Sequence, residues 1–484
     1  MTKRLYIETV GCQMNVLDSE LVAARLLRDG YQLVDSLGSA DTILFNTCSV
    51  RQHAEDKIYS ALGRLRPVKA RRPQTIIGVL GCMAQKDRER IFKRAPHVDL
   101  VVGPGQLEQL PELIERVRSG QGPQIEISLD RKAGSRAAVA ESFGRYDPLR
   151  TSSVRPARHQ AMVRIMLGCD KFCTYCIVPA VRGPEQSRPA EEIEAEVRQL
   201  ADQGCLEVTL LGQTVNSYRH ARYGRTERLS DLLERLHGVA GLARLKFVTN
   251  YPRHMTPDLL AAVRDLPKVS PYLHIPAQSG SNRVLARMKR GYTVEEYREM
   301  LQQIRATIPQ AAVTSDFIVG FCGESEEDFQ HTMELVRQSR FKNSYIFKYS
   351  PRRGTTADKL YADDVPEEVK RRRNNELLAL QNAICLEDNL ALVGRPVEVL
   401  VEGPSKTGRK RGRQGDLIQL VGRTVCDRIV VFDGPPSLAG RIEPVVVQQA
   451  DACTLFARLR VQRIALPLLE GGPGPIATQE ADRS

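Results

Sequence analysis

The chain has 484 residues, 42% hydrophobic and 26% charged, and 70 Lys and Arg against 58 Asp and Glu give a net charge of +12. At about 150 residues per domain this implies roughly three domains of ordinary globular composition, excludes fibrous and mainly disordered classes, and favours a polyanionic partner. Met1–Glu8 meets an acid before any apolar stretch forms, no run approaches the ~18 apolar residues of a membrane span, and the eleven cysteines are odd in number and scattered, so a reduced, cytoplasmic protein is expected, without signal peptide, membrane span or disulfide framework.

Residues 1–119 alternate strand and helix. Strands are expected at Leu5–Val10, Thr42–Asn46, Thr75–Leu80 and Val98–Val102, with helices at Ser19–Asp29, from a Ser49 N-cap to about Leu65, in the basic stretch after Cys82, and at Leu107–Val117. Such alternation implies a parallel sheet covered by helices. Residues 120–158 are rich in Gly, Pro, Ser and Arg and read as a surface linker with one strand at Gln124–Ser128.

A second alternating series fills residues 159–390. Its strands are expected at Met162–Leu167, Glu207–Leu211, Leu245–Thr249, Tyr272–Ile275, Val313–Val319 and Tyr345–Tyr349. Its helices are expected at Ala190–Gln203, Leu229–Leu236, Pro257–Leu266, Asn282–Met288, Val294–Ile308, Glu326–Ser339 and Pro366–Asn389. Six consecutive strand–helix units make a partial barrel or a doubly wound sheet. In residues 391–460 short β-rich runs at Val397–Val401, Leu417–Gly422, Arg428–Phe432 and Cys453–Arg460 imply a small β-barrel, and residues 461–484 a tail. The fold class is thus α/β, with a parallel α/β domain, a partial (β/α)6 barrel and a small β-barrel.

Six cysteines occupy informative places. Cys169, Cys173 and Cys176 form C-x3-C-x2-C directly after the first strand of the second series. Three thiolates on one tight loop can hold three corners of an iron–sulfur cubane and leave the fourth iron open to a substrate. Zinc, which normally takes four ligands, and plain core cysteines are the competing readings. Cys12, Cys48 and Cys82 are far apart in sequence, yet each follows the carboxyl end of an expected strand in three successive units. In a parallel sheet those ends share one edge, where ligands bind. The following helix N-termini favour thiolates, and Gly11 and Gly81 permit close backbone approach. Ordinary buried cysteines at strand ends are the competing reading. Cys205, Cys322, Cys385, Cys426 and Cys453 show no partner spacing and read as packing residues.

The segment from Leu167 to Cys176, with Tyr175 before the last cysteine, resembles the signature of the radical S-adenosylmethionine superfamily. More narrowly, the chain resembles the radical S-adenosylmethionine methylthiotransferases. This rests on Val10–Asn15, Asn46–Arg51, Gly78–Cys82, Arg182-Gly183, Ser187–Pro189, Thr209–Gln213 and His274–Gly280. Gln13, Ser279, the Gln213–Asn216 run and the Met288–Thr293 run resemble the branch acting on dimethylallyladenosine in tRNA, Gln13 and Ser279 standing apart from the sister branch that modifies a ribosomal-protein aspartate; a sister acting on threonylcarbamoyladenosine or on that aspartate is the alternative. Where the family has Gly-Phe-Pro-Gly-Glu this chain has Gly320-Phe321-Cys322-Gly323-Glu324, a turn left less rigid by the missing proline.

The resemblance implies two [4Fe-4S] clusters, one on Cys12, Cys48 and Cys82, the other on Cys169, Cys173 and Cys176 and bound to S-adenosylmethionine. It implies a methylthio transfer to C-2 of dimethylallyladenosine at position 37 of tRNA, started by a 5′-deoxyadenosyl radical, with no catalytic residue identified beyond the cluster ligands. The expected partners are the tRNA anticodon loop, S-adenosylmethionine and an external electron donor, for a monomer away from membranes, with a barrel of the TRAM type. Gln213, Asn216, Gln278, Ser279, Gly320 and Glu324 are candidate cofactor contacts at strand ends. Lys406, Arg409, Lys410, Arg411 and Arg413, and a second basic run at Arg371–Arg373, are candidates for gripping the RNA backbone. A non-catalytic iron–sulfur or zinc RNA-binding protein is the alternative from a different class.

Overall fold

The computed structural model describes residues 3–49, 52–127, 150, 152–222, 224–411 and 417–460. Two series of parallel strands and a closed β-barrel account for most of it.

The first series runs β1 (Lys3–Val10), α1 (Gln13–Arg28), β2 (Tyr31–Leu33), β3 (Thr42–Thr47), α2 (Gln52–Arg71), β4 (Ile76–Leu80), α3 (Cys82–Asp87), α4 (Arg90–Arg94), β5 (Leu100–Val102), α5 (Leu110–Arg118) and β6 (Gln124–Glu126). The sheet is parallel, in the order β2-β1-β3-β4-β5-β6. Every residue of β3 and β4 is buried, as continuous apolar runs in a sheet covered on both faces require. Several expected boundaries shift. Helix α1 begins at Gln13 rather than Ser19, because Met14 and Leu17 extend the buried stripe of Leu21 with helical spacing. The short edge strand β2 was not anticipated. Helix α2 starts at Gln52, so Ser49 precedes it instead of capping it, and it continues through Pro67 to Arg71.

The second series runs β7 (Gln160–Arg164), β8 (Met166–Leu167), α6 (Val178–Val181), β9 (Gln186–Ser187), α7 (Ala190–Asp202), β10 (Glu207–Leu211), β11 (Arg219–Arg222), β12 (Arg225–Arg228), α8 (Leu229–His237), β13 (Arg244–Phe247), α9 (Pro257–Asp265), β14 (Tyr272–His274), α10 (Asn282–Arg287), α11 (Val294–Thr307), β15 (Ala312–Val319), α12 (Glu326–Ser339), β16 (Asn343–Lys348), α13 (Thr356–Leu360) and α14 (Glu367–Leu390). Strands β7, β10 and β13 pair in parallel, as do β14, β15 and β16, and a parallel bridge from Leu245 to Val269 joins the two halves. One apolar core extends from Ala161 to Ile384 across all six units. The expected strand Met162–Leu167 is broken at Ile165. After it the chain leaves the parallel sheet, and Met166 and Leu167 pair antiparallel with Ser187 and Gln186. This detour launches the cysteine loop. The β11–β12 hairpin is a further element the pattern did not reveal.

The closed barrel is β17 (Pro396–Pro404), β18 (Ile418–Thr424), β19 (Ile429–Gly434), β21 (Thr454–Leu459) and β20 (Ile442–Ala450), in that spatial order. Val399, Val401, Leu420, Val430, Phe432, Val445, Val447 and Leu455 fill it. Strand β20, whose Val445–Val447 run packs inward at both ends, was missed.

Arg150 joins the first two parts. It is buried and donates to Glu20 of α1 at 2.8 Å, to Glu196 of α7 at 2.6 Å, and to the Met162 carbonyl at 2.5 Å. Arg188, also buried, completes the group on Glu196. Removing one member of such a set strands the others uncompensated. Arg150→Met is expected to destabilise the chain by about 3–5 kcal/mol. Thermal denaturation checks this, and adding Glu20→Gln is expected to recover part of the loss.

Candidate functional site: two cysteine triads

Cys12, Cys48 and Cys82 lie just past β1, β3 and β4, three adjacent strands whose carboxyl ends form one edge. The backbone there is tightly packed. Gly81 has φ +85°, and a Cβ on it would lie 2.3 Å from Asn46 Oδ1. A Cβ on Gly11 would lie 2.7 Å from that of Cys48. Asn46 is buried beneath them. Its Nδ2 donates to the Asn15 carbonyl at 2.9 Å and to Ser19 Oγ at 3.0 Å, and its Oδ1 accepts from Asn15 Nδ2 at 3.0 Å. This clamp fixes the start of α1 against β3 and holds Asn15 Oδ1 3.2 Å from Cys12 Sγ.

The three thiols are electrostatically unequal. A hydrogen bond from Cys48 draws the Cys12 thiol down to about 6, against burial and with help from the Arg182 guanidinium. Burial pushes Cys82 up, although Arg182 Nε donates to its sulfur at 3.2 Å. Arg182 comes from the other series, just after α6, and its Nη2 donates to Asp18 of α1 at 2.7 Å. It is buried, and its Nη1 has no protein partner.

Cys169, Cys173 and Cys176 occupy the loop after β8. Burial, with the neighbouring thiols adding to it, pushes Cys169 up to about 11 and Cys176 up to about 12. Arg290 Nη1 donates to Cys173 Sγ at 3.3 Å and to the Tyr175 hydroxyl at 3.3 Å, while Nη2 holds the Pro276 carbonyl at 3.0 Å. Tyr175 packs edge-on to Phe321. Each triad therefore has one buried arginine on one of its sulfurs. Arg182 and Arg290 stood inside quoted motifs, but nothing local in the sequence pairs them with thiols 100 and 117 positions away.

A cavity of about 600 Å³ opens beside Cys12. It runs past Met162, Val248 and His274 on the inner strand faces to Glu402, Arg423 and Asp427 of the barrel. His274 Nδ1 is 3.0 Å from Thr314 Oγ1, and its Nε2 is 3.5 Å from Asp316.

Among the described residues no three Cys, His, Asp or Glu side chains converge on one point as a single-ion site would need. Cubane corners are separate irons, so their thiolates stand apart. The unpartnered, buried Arg182 Nη1 beside Cys82 offers a donor to an anionic cluster, and the partnerless buried Gln213 Oε1 offers an acceptor near the end of β10. The residues present fit such groups at both triads.

The other strand-end candidates differ in how they are engaged. Both sides of the Asn216 amide are held by the Tyr251 backbone, at 2.9 and 2.7 Å. Gln278 is buried with φ +73°, and its backbone bridges to Asp316 and Ile318. Ser279 Oγ accepts from the Ser281 amide and lies 3.4 Å from Thr332 Oγ1. Gly320 donates its N–H to Glu324, which also pairs with Arg373 at 2.8 Å. Burial pushes the Glu324 carboxyl up to about 7, and its Oε1 is buried without a partner.

Of the basic residues, Lys406, Arg409 and Lys410 are exposed on α15 (Lys406–Arg411), a short helix beside the barrel. The Arg411 side chain and Arg413 lie outside the described residues. In the second run Arg372 pairs with Glu326 and Glu376, and Arg373 with Glu324 and Glu326. Arg373 is buried on its two carboxylates, a correction to its expected RNA role, whereas Arg372 stays at the surface. Cys205, Cys322 and Cys385 are buried packing residues, Cys426 is half-buried and Cys453 is exposed.

Residues 4–103 match the family model described as "Uncharacterized protein family UPF0004", and residues 163–336 match that of the radical SAM superfamily. A tRNA-2-methylthio-N(6)-dimethylallyladenosine synthase of Rhodopirellula baltica is 58% identical over 464 residues, covering 96% of this chain and 97% of that protein. Synthases of the same name from Bordetella petrii and Moorella thermoacetica are each 44% identical, covering 94% of this chain and 91% and 97% of their own. The chain belongs to the tRNA-2-methylthio-N(6)-dimethylallyladenosine synthase family. The fold is shared with TsrM, a radical S-adenosylmethionine methyltransferase of Kitasatospora setae, at a TM-score of 0.51 and 13% identity over 72% of this chain and 73% of that one.

In this family member the asymmetry of the thiols is testable. In cluster-free protein Cys12 is expected to alkylate with a midpoint near pH 6, being thiolate above it, and so to label ahead of Cys169 and Cys176. Arg182→Met removes the nearby cation and is expected to raise the Cys12 midpoint. Mass-spectrometric labelling against pH checks both.

Proposed function

We propose that the chain adds a methylthio group to C-2 of N(6)-dimethylallyladenosine at position 37 of tRNA, using S-adenosylmethionine and two [4Fe-4S] clusters. The observation that carries this reading is the pair of three-cysteine sets tied together by Arg182 across one interface, with Cys12 on the wall of a cavity of about 600 Å³. The names of the near full-length relatives favour dimethylallyladenosine over threonylcarbamoyladenosine or a ribosomal protein.

Cys169, Cys173 and Cys176 would hold the S-adenosylmethionine-binding cluster, and Cys12, Cys48 and Cys82 the second one. When bound, these groups supply the radical that removes hydrogen and the sulfur that is transferred; the protein supplies placement and exclusion of water. Loading requires thiolates, so the raised Cys169 and Cys176 must release protons on binding metal. Arg290 orients Cys173, and Arg182 sets Cys82 against Asp18. Gln213 and Glu324 keep a free buried oxygen for the cofactor. Lys406, Arg409 and Lys410, with Arg411 and Arg413, would grip the tRNA backbone through a sequence-independent, salt-sensitive attraction. An anticodon loop already exposes its bases, which lowers the cost of bringing one into the cavity. Among the described residues no helix is long and apolar enough to cross a membrane. A monomer in the cytoplasm, served by an external electron donor, completes the proposal.

The test is anaerobic reconstitution with reductant, S-adenosylmethionine and tRNA carrying dimethylallyladenosine, followed by nucleoside mass spectrometry. Formation of 5′-deoxyadenosine without methylthio product overturns the reading. Cys12→Ala is expected to keep 5′-deoxyadenosine formation and lose methylthio transfer, whereas Cys173→Ala loses both.

A further inference from the structure

Arg182 reaches from the second series into the three-thiol set of the first, with a donor fork that the protein fills only in part. Its Nε donates to Cys82 Sγ at 3.2 Å and its Nη2 to Asp18 Oδ2 at 2.7 Å. Its Nη1 is buried and meets no protein acceptor, and Asp18 Oδ1 is buried and meets no donor. A buried charged donor left unmet is costly, so this N–H points to an acceptor that is not a protein atom. Ile177 and Val181 pack on Cys82, so the ground around that sulfur is apolar and a charge there acts through a low dielectric. The charge of Arg182 is felt at Cys12 as well as at Cys82. One guanidinium from the core thus addresses two of the three sulfurs that the first series supplies.

We propose that Arg182 is a positioning residue that sets the reduction potential of the cluster on Cys12, Cys48 and Cys82, with Nε on Cys82 and Nη1 left for a cluster sulfide, and that Asp18 opposes it by neutralising part of its charge. The inference rests on the two-cluster reading under Proposed function. Iron–sulfur potentials follow the net charge and the hydrogen bonds that reach the sulfurs. Reduction by one electron adds a negative charge to the cluster. A buried cation beside it favours the reduced form and raises the potential, and a buried carboxylate lowers it. Other charges stand near: Arg352 is felt at Cys48, and Arg164 shares a narrow crevice with Asp18. These are common to every variant, so the sign of each change belongs to the group that is substituted.

The test is an anaerobic potentiometric titration of the full-length enzyme reconstituted with both clusters, followed by EPR. Added S-adenosylmethionine marks the first cluster by changing its signal, and that cluster serves as the reference within each sample. Arg182→Gln is expected to lower the potential of the second cluster, Arg182→Lys to lower it less, and Asp18→Asn to raise it. Opposite shifts from the two halves of one ion pair separate tuning from structural damage, which would move both the same way. An unmoved potential in Arg182→Gln, or shifts of one sign in Arg182→Gln and Asp18→Asn, overturns the proposal. Should Arg182→Gln fail to hold the second cluster, Asp18→Asn decides, and a potential that does not rise overturns the proposal. Unsubstituted protein carrying about four irons and one cluster signal, in place of about eight and two, overturns the underlying reading and the proposal with it. Two clusters with unmoved potentials overturn the proposal alone.

Discussion

The guanidinium of Arg182 is the constraint on which the arrangement of the site depends. It is a buried cation supplied by the loop of one α/β series and satisfied by Asp18 and Cys82 of the other. A charge in that position cannot be exposed by half. Removing either partner while the interface stays closed would leave the other charge buried and unpaired, a cost of several kcal/mol. The Arg150 group repeats the same logic one helix away. Two buried ionic ties, together with the packing of Leu211, Met162 and Val248 on the first-series core and of Ile177 and Val181 on Cys82, fix where the edge bearing Cys12, Cys48 and Cys82 meets the loop bearing Cys169, Cys173 and Cys176.

Around that fixed meeting the two thiol sets are built by opposite means. One is local: a single loop, launched where Met166 and Leu167 leave the parallel sheet, carries all three sulfurs, with Cys169 and Cys173 buried and Cys176 half-buried. The other is assembled from three strand ends, with Asn46 and Asn15 bonded beneath it and glycines clearing the backbone. Its Cys12 is exposed at the cavity and shifted toward thiolate by Cys48 and Arg182, so the set is the more reactive without metal. Cys12 alone of its set is exposed, and Cys48 and Cys82 lie buried behind it.

The barrel does more than carry exposed cations. Through Asp427 and Arg423 it closes the far side of the same cavity. Basic residues on α15 face solvent, while those of the barrel base are turned inward and paired. One small domain thus carries exposed cations on one face and walls the cavity with another.

What the sequence determined on its own was whatever has a local or periodic signature. C-x3-C-x2-C can be read because its ligands share one turn. Cys12, Cys48 and Cys82 can be read because parallel strands put their carboxyl ends on one edge, whatever the intervening length. Strands such as Glu207–Leu211 and helices such as Glu326–Ser339 followed from apolar spacing. Only the tertiary structure decided which charges pair. Arg182 with Cys82, Arg290 with Cys173, Arg150 with Glu20 and Lys246 with Asp427 join segments far apart in the chain, and an ion pair leaves no period behind. The same blindness made Arg373 look like an RNA contact when it is buried on Glu324 and Glu326. The short edge strand β2 escaped notice because it owes its conformation to the neighbour it pairs with, and the nine-residue β20 because only its Val445–Val447 stretch is a continuous apolar run.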